Sequence, residues 1–109
     1  MEAFTIEQLI AEQAAGKKLY LEFLRKETMS LGLYVLPAGG TDPQQPHDED
    51  EVYYIVNGRG QIDVGDETQP VQPGSIVFVA AHVPHKFHSI TEELKILVFF
   101  APAETGPTN

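Results

Sequence analysis

The sequence predicts an all-β protein, an antiparallel sandwich or barrel with one short helix at its N-terminus. Three observations carry that expectation. Beyond residue 18 the apolar residues follow a period of two rather than 3.6. Glycine, proline and asparagine then cut the pattern into short runs with turns between them. No strand–helix alternation of the kind that builds a parallel sheet is present. With 109 residues, 42% of them hydrophobic, the chain suits one domain over 1–109 with one modest core.

The helix is expected over 5–15. Thr5 is placed to cap it, and Gln8 at the third helical position completes a capping box. Phe4 before the cap and Leu9 beyond it form the pair of a hydrophobic staple. Ile6, Leu9, Ile10 and Ala14 share one face, and Gly16 stops the helix. Strands are expected over 19–101. Leu19, Leu21 and Phe23 alternate with Tyr20, Glu22 and Leu24, and a second run over 31–36 closes at Pro37. Loop chemistry fills 38–43. The run 52–56 is β-prone and meets Asn57-Gly58, a favoured hairpin turn. Strands at 61–64, 70–72, 76–79, 85–90 and 94–100 follow, with turns at Gly65-Asp66 and Pro73-Gly74. That makes roughly eight strands. The tail 102–109 is expected to be disordered or loosely packed.

Composition removes several function classes. The net charge is −9, from 16 acidic and 7 basic residues, so the chain repels phosphate backbones and anionic lipid. Neither a nucleic acid nor a membrane is an expected partner. Cysteine is absent, which excludes disulfides, thiolate metal sites and a cysteine nucleophile. The start Met1-Glu2-Ala3-Phe4 lacks a basic region followed by an apolar run, and no apolar stretch reaches the roughly 18 residues of a membrane span. A cytoplasmic location is the expectation.

Candidate chemistry lies in two clusters. In the segment 45–51, His47, Glu49 and Glu51 lie on one side of an extended chain, while Asp48 and Asp50 point the other way. Imidazole and carboxylate on one face suit a divalent ion such as Fe, Mn, Ni, Co or Zn; the competing reading is a solvated acidic loop. The second cluster holds three of the four histidines, His82, His85 and His88. At a spacing of three, His85 faces away from both neighbours on a regular strand, so only part of the cluster can serve one pocket. Tyr53 and Ile55 share the parity of Glu51, and Phe87 that of His85. A buried tyrosine there reads first as core.

These two segments resemble the cupin superfamily, whose motifs run G-x5-H-x-H-x3–4-E-x6-G and G-x5-P-x-G-x2-H-x3-N. His47, Glu51 and Gly58 fall on the second histidine, the glutamate and the closing glycine of the first motif. Gly74 opens the second motif and His85 falls on its histidine. The sequence departs from the pattern at Gln45, which stands for the first histidine, and at Ala80, His82 and Ser89, which stand for proline, glycine and asparagine. The resemblance covers about 31–101.

The resemblance implies an antiparallel jelly-roll (double-stranded β-helix) barrel holding one divalent metal ion through His47, Glu51 and His85. Gln45, Tyr53 and Phe87 would be further ligand or pocket residues. It also implies a small-molecule ligand or substrate and a homodimer. Open positions on a two-histidine, one-carboxylate centre suit a dioxygenase-like reaction. They equally suit an isomerase or lyase in which Glu49 moves a proton as the catalytic residue. The alternative is a non-catalytic binder of small ligands, or a vestigial metal site.

Overall fold

A computed structural model describes residues 1–43 and 46–105. Gln45, expected in the pocket, and the tail residues 106–109 lie outside the described residues. One helix, α1 (Ile6–Ala15), precedes six strands: β1 (Tyr20–Arg25), β2 (Ser30–Leu36), β3 (Asp50–Val64), β4 (Glu67–Val71), β5 (Ile76–Val79) and β6 (His85–Ala101). Every strand pairing is antiparallel, in the order β1-β2-β6-β3-β4, with β5 also on β3.

The helix starts where its cap predicts. The Thr5 hydroxyl accepts the Gln8 N–H at 3.2 Å, and the Gly16 N–H returns to the Glu12 and Gln13 carbonyls. Leu9 is buried against Leu33 and Val35 of β2, with Ile6 and Ile10 beside it. Phe4 meets Phe23 edge-on, ring centres 5.0 Å apart. The apolar stripe of α1 therefore covers the outer face of β1 and β2.

Six strands stand where roughly eight were expected, because two pairs are continuous. Asn57-Gly58 is not a hairpin turn; it lies inside β3, where the register against β6 shifts at Ile55/Asn57, Asn57/Arg59 and Arg59/Gln61. The physical reason is that a type I′ turn and a β-bulge make the same demand, a residue with positive φ. Gly58 supplies it with φ +97°, and a Cβ there would collide with the Glu93 carbonyl group of β6. The runs 85–90 and 94–100 likewise merge into β6. The two long, bulged strands let one sheet wrap round on itself. The first part of β3 pairs with β5, its last part pairs with β4, and β6 runs beside both parts.

The interior follows the period of two. Leu94, Ile96, Val98 and Phe100 of β6 are buried while Lys95, Leu97 and Phe99 are partly exposed. They join Tyr34, Tyr53, Ile55, Ile62 and Phe87 in one core. Gly32 has a steric role: a Cβ on it would fall within the Tyr20 ring, which lies across β2 towards Tyr34 and Phe100.

The expectation of a loose tail fails for its first residues. Ala103 and Glu104 are buried, at 8% and 4% exposure. The Glu104 N–H donates to the Ser30 hydroxyl at 3.0 Å, and the Arg25 guanidinium donates to the Glu104 carbonyl. Polar, proline-containing composition reads as loop, yet two donor–acceptor anchors on distant strands are enough to fasten it. Among the described residues no helix is long and apolar enough to cross a membrane.

Candidate metal centre

Backbone contacts bring the two sequence clusters together. The His82 N–H donates to the His47 carbonyl at 2.7 Å, and the Ala81 N–H donates to Asp50 Oδ1 at 2.9 Å. These bonds tie the segment before β3 to the loop before β6. Glu51, at the start of β3, lies between Val79 of β5 and Phe100 of β6. His85 opens β6 opposite Val64. The result is a convergent set: His47, Glu51 and His85 each offer a ligand atom, all within 4.8 Å of one another.

The orientation of each imidazole is fixed from behind. His85 Nδ1 is 2.9 Å from the Val83 carbonyl, which can only accept, so Nδ1 carries the hydrogen and Nε2 presents its lone pair. His47 Nδ1 is 3.1 Å from Glu104 Oε2, and its Nε2 lies 4.0 Å from Glu51 Oε1. His85 Nε2 comes within 2.8 Å of the same Glu51 oxygen.

That short approach is not aligned as a hydrogen bond. Both Glu51 oxygens and His85 Nε2 are buried without a hydrogen-bonding partner. A buried carboxylate in that condition costs several kcal/mol, and a cation at the point of convergence removes the cost. Two imidazole nitrogens and a carboxylate match the donor set preferred by Fe, Mn, Co, Ni and Zn. The residues present therefore fit a divalent ion.

Electrostatics agree with this fit. Burial is the largest single influence on His85 and lowers its basicity, but Glu51 and the Val83 carbonyl together outweigh it and hold the ring above its ordinary pKa. His47 behaves alike: burial opposes the proton, while Glu104 and Glu51 together prevail. The site attracts positive charge, which a proton or a metal ion can supply.

The other expected residues fall around this centre. Tyr53 is fully buried, its ring 6.0 Å from that of His85 and 4.9 Å from that of Phe87. Glu49 is buried on the same parity as Glu51, with its Oε2 accepting the Thr105 hydroxyl at 2.6 Å and its Oε1 without a hydrogen-bonding partner. It lies outside the convergent triad. His82 is on the exposed rim, 3.4 Å from Asp48, and His88 turns outward to Asp63 at 2.8 Å.

Two contributors escaped sequence reading. Asp42 accepts the Tyr34 hydroxyl at 2.6 Å and the Phe87 N–H at 2.9 Å, fastening the loop after β2 to β6. Its only sequence signal is an Asp before Pro43, which is ordinary loop chemistry. Glu104 has no signal within its own segment.

The motif departures acquire a conformational meaning. His82 and Ser89 have φ of +70° and +50°, and are the non-glycine residues with positive φ among those described. They occupy the positions of the motif's glycine and asparagine, the residue types that tolerate this region best.

Residues 32–100 match the family model described as the cupin domain. The chain belongs to the cupin domain family. This cupin is 54% identical over 105 residues to the uncharacterized protein SCO3923 of Streptomyces coelicolor, covering 96% of this chain and 100% of that one. It is 33% identical over 57 residues to L-ectoine synthase of Vibrio cholerae, a match that spans 51% of this chain and 41% of the synthase. Among solved structures it is similar to TT1209 from Thermus thermophilus, with TM-score 0.76 and 25% identity over 94% of this cupin and 99% of TT1209.

Proposed function

We propose that this cupin is a metal-dependent enzyme acting on a small organic molecule, with His47, Glu51 and His85 holding one divalent ion. One observation carries the proposal: two imidazoles fixed through Nδ1 converge with a carboxylate whose buried oxygens have no hydrogen-bonding partner. When bound, the ion supplies Lewis-acid polarisation or, if redox-active, electron transfer. Glu49 is the proposed proton carrier, since Thr105 steadies one oxygen and leaves the other for exchange. In the Lewis-acid reading the enzyme is an isomerase or lyase. The two-histidine, one-carboxylate composition favours a second, dioxygenase-like reading.

The test is metal analysis of untagged protein, followed by oxygen uptake and product assays on catechols, thiols and keto acids. Stoichiometric Fe, Mn, Co, Ni or Zn, lost in His47→Ala and His85→Ala together with turnover, supports the enzyme. Uptake of oxygen separates the two chemistries. Bound metal without turnover on any of these substrates supports the non-catalytic binder. Metal-free protein with unchanged stability in both variants overturns the site altogether.

The same proposal includes a homodimer. Ile76 and Phe78 of β5 stand 69% and 59% exposed, with Tyr54 of β3 paired beside Ile76. Burying these side chains against a second copy removes apolar surface from water. Light scattering is expected to show a dimer that Phe78→Glu converts to monomers; a monomeric parent protein would sink this part.

A further inference from the structure

Glu104 lies beyond the last strand, yet its side chain is buried and reaches the centre. Its backbone is held on both sides: the N–H by the Ser30 hydroxyl and the carbonyl by Arg25. Ser30 is itself fully buried on β2, opposite Phe100 of β6, so the anchor belongs to the core sheet. With the main chain fixed, Glu104 Oε2 stands 3.1 Å from His47 Nδ1, while Oε1 is buried without a hydrogen-bonding partner. The next residue, Thr105, donates to Glu49. The segment after β6 thus closes on the centre at two carboxylates.

An acceptor behind Nδ1 decides what the opposite nitrogen does. A carboxylate there keeps the hydrogen on Nδ1, stops rotation of the ring and makes Nε2 a stronger donor to a cation. We infer that Glu104 is the positioning residue for His47: it selects the Nδ1–H tautomer and aims Nε2 at Glu51. This rests on the metal centre proposed above, but its tautomer component does not need a bound ion. The geometry also explains why a charged residue is tolerated at 4% exposure after the last strand.

The experiment uses the full chain with Glu104→Ala, Glu104→Gln and Thr105→Val. All three leave the backbone anchors to Ser30 and Arg25 in place. Zn²⁺ affinity is read by competition with a chromophoric chelator. The His47 tautomer is read by long-range ¹H–¹⁵N NMR on metal-free protein, at a pH above the imidazole range. Glu104→Ala is expected to weaken Zn²⁺ binding on the order of 10- to 100-fold and to return His47 to the Nε2–H tautomer preferred in water. Glu104→Gln, whose amide oxygen still accepts, falls between Ala and the parent, and Thr105→Val keeps the parent tautomer.

Unchanged affinity and tautomer in Glu104→Ala overturn the inference. So does an equal disturbance by Thr105→Val, which would mean that the segment acts only as packing. If the parent binds no Zn²⁺, the metal reading fails, while the tautomer shift in Glu104→Ala still decides the role of Glu104.

Discussion

His85–Glu51 and His88–Asp63 are the same pair of groups at the same separation, 2.8 Å from Nε2 to a carboxylate oxygen, three residues apart on one strand. Their surroundings differ. The side chains of the first pair are each 1% exposed, those of the second 33% and 34%. At the surface each group has other answers: Thr68 donates to Asp63 at 2.7 Å, and His88 Nδ1 meets the Ser89 hydroxyl at 3.0 Å. Inside, Glu51 Oε1 and Oε2 and His85 Nε2 are left without hydrogen bonds. An imidazole close to a carboxylate is therefore no mark of a site. Buried groups whose bonding capacity is unmet are.

The largest expected difference between the pairs comes from neutralising each carboxylate. Glu51→Gln should weaken Zn²⁺ binding more than about 100-fold, since loss of a ligand exceeds the loss of a supporting contact. Asp63→Asn should leave it unchanged. In chelator-treated protein, at a pH where the imidazoles are neutral, the sign should reverse. Glu51→Gln removes a buried uncompensated charge and should raise unfolding stability by roughly 1–3 kcal/mol. Asp63→Asn should leave stability nearly unchanged under both conditions, as exposed substitutions do. Chemical denaturation with and without metal measures this crossing. A Glu51→Gln variant destabilised to the same degree in both states would make the inner pair an ordinary structural contact.

The inner pair was legible through the motif resemblance, which places Glu51 and His85 on the motif glutamate and histidine. Strand parity says only that His85 and its neighbours cannot share one pocket. A spacing of three puts His85 and His88 on opposite faces; His85 and Phe87 are buried, and the buried parity then reverses, with Ile90, Leu94, Ile96 and Val98 inside. Asn57-Gly58 was not legible, because its residues announce a positive φ and leave open whether a turn or a bulge uses it. Glu104 was less legible still. Its contact with His47 joins residues far apart in sequence, and nothing in a polar tail says that Ser30 and Arg25 will draw it inward. Local periodicity reports which face a residue is on. It is silent on which distant segment folds over that face.

The smallest expected effect belongs to the surface pair and concerns pH. The Thr68 hydroxyl, and after it His88, hold the Asp63 carboxyl below its ordinary pKa. A carboxyl depressed in the folded state stabilises the protein above its unfolded pKa, and that contribution is lost as pH falls through the folded value. Asp63→Asn should accordingly flatten a slight acid-side decline in melting temperature while leaving the neutral-pH value nearly in place. The pair is exposed, so added salt should shrink even this difference. Melting curves from neutral to acidic pH, at low and high salt, test it. If Asp63→Asn or His88→Ala shifts Zn²⁺ affinity as Glu51→Gln does, the two pairs are coupled. Burial would then no longer be what separates a site from a surface contact in this cupin.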